Sequence, residues 1–264
     1  MRKGAGYLKK EKIGYFIIAS VAVLAIIAIM TQDPIAQDPA YHLFADTRDI
    51  WNLQNFGNVI SNLPYLIIGV FGFYKVTQSS GLAILAEFKF AYLLFFAAVA
   101  AVSLGSGYYH LAPDNSTLVW DRLPMAVVFM SFFTILISEF ISVRVGKALL
   151  FPLIVAGIVS VAYWHLSEAW GEGDLRYYIL IQFTPVMMIP IILLCFRSRY
   201  TRVYGYWALL VTYGVAKLFE YVDVEIYHLL GIISGHSIKH IVSALGVYIF
   251  LNSFEKRRKI DNKV

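Results

Sequence analysis

Long apolar runs alternate with short polar breaks along almost the whole chain. A hydrocarbon core about 30 Å thick is crossed by roughly 20 apolar helical residues. Eight stretches meet that length: 14–30, 58–76, 90–109, 123–142, 147–164, 177–196, 203–220 and 236–253. The third and fourth are parted by Pro113, Asp114, Asn115 and Ser116. Asp223, Glu225, His228, Gly231 and Gly235 part the last two. The first run follows Arg2, Lys3, Lys9, Lys10 and Lys12, as a secretory signal would. It is long for such a signal, though, and Thr31-Gln32-Asp33-Pro34 offers no small-residue cleavage site, so it reads as an uncleaved helix. The pattern predicts an all-α, polytopic transmembrane bundle, with no room in the loops for a soluble domain.

Composition agrees with the pattern. Of the 264 residues, 59% are hydrophobic and 15% charged, against about 45–50% and about 25% in soluble domains. This excludes a soluble enzyme, a disordered chain and a nucleic-acid binder as leading readings. The net charge of +5 is explained by topology. Seventeen of the 22 Lys and Arg fall at the N-terminus, at Lys75, Lys89, Arg144, Lys147, Arg197, Arg199 and Arg202, and from Lys256 to Lys263. With eight alternating helices all of these lie on one side, and the positive-inside rule makes that side, with both termini, cytoplasmic. The other loops hold Arg48, Arg122, Arg176 and most of the acids, and Lys217 and Lys239 sit within spans. Lys217 and Glu220, three apart, are expected to form an intramembrane ion pair. The single cysteine, Cys195, excludes disulfides and Cys-rich metal sites and reads as a buried, inert thiol. Any soft-metal chemistry therefore falls to imidazole.

All six histidines lie toward the non-cytoplasmic face. His110 ends the third span, Asp121 begins the fourth, and His236 and His240 begin the eighth. His236 and His240, spaced i, i+4, present both imidazoles on one helical face, a spacing that serves either polar core contacts or a metal. His110 is the natural candidate for the third ligand that catalytic zinc requires. Polar groups gathered at one depth in a membrane favour the metal. Ser106, four residues before His110, is either a small packing residue beside Gly105 and Gly107 or a donor to an oxyanion. Asp121 is either an outer cap ahead of Leu123 and Pro124 or a general base. Gly231 and Gly235 are expected to shape the turn before the last helix.

Together, Ser106-x-x-x-His110, Asp121 and His236-x-x-x-His240 resemble the alkaline ceramidase family. That family belongs to a wider group of seven-helix membrane hydrolases and receptors. Asn58-Val-Ile-Ser61-Asn62-Leu-Pro64, the segment from Phe44-Ala-Asp46-Thr-Arg48 to Asn55-Phe56, and Ser234-Gly235-His236-Ser-Ile-Lys239-His240 strengthen the likeness, the second of these toward bacterial members. The resemblance divides the chain into an N-terminal portion with an extra transmembrane helix (1–40), a seven-helix hydrolase domain (41–253) and a basic cytoplasmic tail (254–264).

It implies a zinc-dependent amidohydrolase of linear amides, cleaving the N-acyl bond of ceramide or a related N-acyl lipid to a fatty acid and a free amine. By position, His110, His236 and His240 would bind Zn2+. Asp121 would orient and deprotonate the water at the metal, and Ser106 would stabilise the oxyanion. The implied partners are a lipid substrate and the bilayer, with no nucleic acid. The implied place is the plasma (inner) membrane, with the site facing away from the cytoplasm. Eukaryotic members carry an acidic calcium-binding segment ahead of the first core helix. Here Asp46 and Asp49 are followed by Asn52, Asn55 and Asn58, so calcium is not carried over, and Asp46 is free to pair with Arg48.

Other readings stay open. One is an intramembrane serine hydrolase using Ser106, although Leu104 breaks the rhomboid-type Gly-x-Ser-Gly pattern. Another is a non-enzymatic receptor with a structural zinc. A proton-relay transporter is disfavoured, because the polar groups gather at one face instead of crossing the midplane.

Overall fold

A computed structural model describes residues 2–79 and 81–260. The fold is all-helical, and its β contacts among the described residues are two isolated bridges, Ile50–Leu53 and Tyr200–Lys259. The helices are α1 (Arg2–Met30), α2 (Phe56–Ile60), α3 (Leu63–Gln78), α4 (Lys89–Leu111), α5 (Asn115–Phe140), α6 (Val143–Ala169), α7 (Arg176–Cys195), α8 (Tyr204–Tyr221), α9 (Asp223–Leu230) and α10 (Gly235–Lys256). Among the described residues seven helices or helix pairs are long and apolar enough to cross a membrane: α1, α2 with α3, α4, α5, α6, α7 and α10. The remaining long helix, α8, packs along α10 as a member of the bundle. Its Lys217, Glu220 and several tyrosines bring its hydropathy below that of the others. Counting α8, the seven-helix core with one additional N-terminal helix is the architecture found.

The core sits between α3, α4, α5 and α10, where Phe95, Phe96, Phe132, Phe250 and Phe254 interlock edge to face or tilted. In lipid the apolar effect gives little reason for helices to associate, so close packing and interhelical polar contacts have to hold the bundle. Small residues provide the closest approaches. A Cβ on Gly69 would lie 2.4 Å from the Ala100 amide nitrogen, and one on Gly105 would lie 1.9 Å from the Trp120 carbonyl oxygen. Gly105 therefore lets α4 touch the backbone of α5 one residue before Asp121. We expect Gly105→Ala to separate these helices and cost about 1–3 kcal/mol. Thermal unfolding in micelles checks this.

Several element limits differ from the sequence expectation, each for a local reason. α5 begins at Asn115, not near 123, because Asp114 caps it: its carboxylate accepts the Thr117 amide at 2.7 Å, and Thr117 returns the capping box. Asp121 thus lies well inside a helix, which removes its reading as an outer cap. The second span is broken at Ser61 and Asn62, just ahead of Pro64 in the first turn of α3. Gly231 ends α9 in the left-handed region, as a turn glycine should. Gly235 instead opens α10, where a Cβ would lie 2.2 Å from the Phe219 carbonyl oxygen.

The basic and acidic ends are separated in space. Lys75 with Glu255, Lys147 with Glu87 and Arg257 with Glu139 join residues of one end. At the other, Arg48 reaches the Ile232 carbonyl and Arg176 the Gln32 carbonyl. The expected Lys217–Glu220 pair is present at 2.5 Å, and Lys239 of α10 binds the same carboxylate.

Candidate metal centre and its cavity

His110 closes α4, and His236 and His240 open α10. Side-chain packing brings all three together, with 1%, 6% and 6% of their surfaces exposed. One nitrogen from each lies within 4.8 Å of the others. The Nε2 atoms of His110 and His236 are 3.3 Å apart, close to the separation of about 3.3 Å for two corners of a tetrahedral zinc site with Zn–N of about 2.0–2.1 Å. The donor set of three imidazoles, with no thiolate, suits zinc and leaves a fourth position for water or substrate. These residues fit the metal that the sequence suggested.

The surrounding residues aim the imidazoles. Ser61 Oγ lies 2.8 Å from His240 Nδ1, which leaves Nε2 as the nitrogen free to ligate. Asp223 accepts the His236 amide at 2.6 Å and, with its other oxygen, the Ala45 amide at 3.0 Å. Its charge thus sits at the α10 N-terminus, where a helix favours an anion. Ser234 caps the same helix. Asn55 donates to the His110 carbonyl at 2.8 Å, and Asn58 accepts from Ser237 at 3.0 Å while donating to the Asp46 carbonyl. Asp46 is fully buried and pairs with Arg48 at 2.7 Å, as the sequence allowed. Burial pushes its carboxyl up, but the hydrogen bonds and charge of Arg48 outweigh this and hold it below the usual carboxylate range.

A strap from α1 to α2 covers the cluster. The Phe44 ring packs at 4.7 Å from the His110 ring and 4.5 Å from the His236 ring, edge to face in both cases. His42 does not join the cluster. It bridges Tyr109 and Asn115, at 2.9 Å each. Further along, Gln37 donates its backbone amide to Glu168 at 2.7 Å. His165 and His228 also stay apart from the three ligand candidates.

Ser106 and Asp121 lie beside each other across the α4–α5 contact, where Gly105 brings the two backbones together. Both line a cavity of about 320 Å³ that also reaches His240. The remainder of its wall is mostly apolar, from α4, α5, α7, α8 and α10, with Arg122, Lys217, Glu220 and Lys239 as its other charges. Of the five predicted site residues, Ser106, Asp121 and His240 line this cavity, and His240 joins it to the cluster it forms with His110 and His236. Ser61, Asn55, Asn58, Asp223 and Phe44 support it without having been singled out for it. The sequence signs of Ser61 were a polar Ser-Asn pair inside an apolar span and its place in the Asn58–Pro64 segment that carries part of the family likeness.

No curated protein sequence is matched by the chain. A protein-family model described as Ceramidase matches residues 52–263, well over half of the chain and including every residue of the cluster. The chain belongs to the ceramidase family.

Proposed function

We propose that the chain is a zinc-dependent amidohydrolase that cleaves the N-acyl amide of ceramide or a related N-acyl lipid, releasing a fatty acid and the free amine. The observation that carries this is the cluster of three buried imidazoles, one of which, His240, shares the wall of an apolar cavity within the bundle with Ser106 and Asp121. His110, His236 and His240 would hold the ion. When bound, zinc supplies Lewis-acid polarisation of the amide carbonyl and favours deprotonation of water near neutral pH.

The protein's own groups account for the rest. The cavity's apolar wall takes the lipid chains and excludes bulk water. Asp121 orients the attacking water, takes its proton and returns it to the departing amine nitrogen. While Asp121 is ionised, the Ser106 hydroxyl donates to it. Once Asp121 has accepted a proton, that hydroxyl is free to turn toward the oxyanion. The basic end of the bundle is the cytoplasmic one under the positive-inside rule. Both termini then lie in the cytoplasm and the site faces the other side of the plasma (inner) membrane.

The Ser106–Asp121 contact also favours a second reading, with Ser106 as nucleophile and Asp121 as its base. Ser106→Ala separates the two. As an oxyanion donor, its loss should lower kcat about 100- to 1,000-fold, with zinc content unchanged and a measurable residual rate. A nucleophilic serine predicts a rate at background and a covalent fluorophosphonate adduct on Ser106 of the native protein.

A further inference from the structure

Arg122 follows Asp121 on α5 and lines the same cavity, yet the mechanism above does not use it. Only 7% of it is exposed. Its guanidinium lies 4.2 Å from the Trp164 ring, 4.9 Å from Tyr178 and 5.7 Å from Tyr41. One terminal nitrogen donates to the Gln37 side-chain oxygen at 2.6 Å, a neutral acceptor. The other, Nη1, is buried without a hydrogen-bond partner. A permanent cation withdrawn from water is costly unless an anion meets it, and neither carboxylate of the wall forms an ion pair with Arg122. Glu220 is bound by Lys217 and Lys239, and Asp121, although the Arg122 charge acts on it, does not come into ion-pair contact with the guanidinium. The wall therefore carries three cations, Arg122, Lys217 and Lys239, against two carboxylates, Asp121 and Glu220. That surplus is present before any metal charge is added.

We propose that Arg122 anchors an oxyanion carried by the lipid headgroup, so that the cavity selects acidic N-acyl lipids, such as those whose amine portion bears a carboxylate, over neutral ones. A planar guanidinium held between aromatic faces is pre-organised for a carboxylate. The apolar wall takes the acyl chain in either case, so discrimination rests on the headgroup. This inference rests on the amidohydrolase reading and takes its related N-acyl lipid branch, since ceramide is neutral, but binding tests it independently.

The probe is 4-oxopentadecanoate, in which a ketone stands where the amide of N-dodecanoylglycine would be, compared with its methyl ester. Binding to the zinc-loaded protein is read by tryptophan fluorescence or thermal shift. The native protein is expected to prefer the acid by about tenfold to a hundredfold. Arg122→Gln should abolish that preference and Arg122→Lys should retain part of it. The same ranking is expected in kcat/KM for N-dodecanoylglycine over its methyl ester. Equal binding of acid and ester by the native protein overturns the inference whether or not a variant folds. A preference undiminished in Arg122→Gln overturns it too, in favour of the Lys217–Lys239 pair. A preference that follows Arg122 in a protein that hydrolyses neither these amides nor ceramide supports the anion site and overturns the amidohydrolase reading instead.

Discussion

Asp121→Asn should reduce N-acyl lipid hydrolysis by about 100- to 10,000-fold, the range spanned by a general acid–base group, while leaving zinc content and melting temperature close to native. The structure gives reasons for each part. Asp121 is two helical turns inside α5 and caps nothing, since Asp114 performs that task. It belongs to the cavity wall and not to the three-imidazole cluster. An amide in the same place can still accept from the neighbouring Ser106 hydroxyl. The substitution therefore removes a proton acceptor while keeping shape and metal. Steady-state kinetics with parallel metal analysis checks this. Loss of zinc together with activity would mean that Asp121 acts through the metal cluster's integrity.

The largest effect on stability is expected at the opposite end of the bundle. Glu139 closes α5 with 0% exposure, and Arg257, just past α10, is 3% exposed. Two nitrogens of Arg257 reach the two oxygens of Glu139, one of them at 2.8 Å, and the Tyr92 hydroxyl donates to the same carboxylate. Arg257 also donates to the Ala83 carbonyl at 2.8 Å, and its guanidinium lies 4.2 Å from the Tyr200 ring. Two charges in so dry a place owe their retention to this mutual satisfaction. Glu139→Ala strands the arginine and should cost about 3–5 kcal/mol. Replacing both members, Glu139→Leu with Arg257→Met, should recover most of the loss, because no unpaired charge then remains. Thermal unfolding in micelles reads both. The folded fraction of Glu139→Ala should hydrolyse lipid normally, since the cluster lies at the other end from the histidines.

How much of this was legible in the chain depends on how local the signal is. Long apolar runs showed the spans, because one physical requirement, the thickness of lipid, acts on every residue of a run. Even α8 was visible in that way, although Lys217 and Glu220 weaken its signal. The short helices α2 and α9 were not, since neither is long enough to show a period. The site was legible for a related reason: in spans where nearly everything is apolar, Ser106, His110, Asp121, His236 and His240 stood out. Two helical spacings of four residues and one shared depth brought them together. The supporting contacts could not be read in advance. Ser61 meets His240 across 179 positions, and Arg257 meets Glu139 across 118. Neither spacing carries a periodic signal. Arg257 read as part of a basic run of the tail, and only tertiary packing shows it to be buried.

The central claim is that His110, His236 and His240 hold a zinc ion on which hydrolysis depends. Its most direct test is the zinc content and N-acyl lipid turnover of native and His236→Ala protein, purified side by side without added metal. The account predicts about one zinc per native chain, and loss of both zinc and turnover in His236→Ala. Native protein that hydrolyses lipid without bound metal, or His236→Ala protein that keeps full turnover, would contradict it.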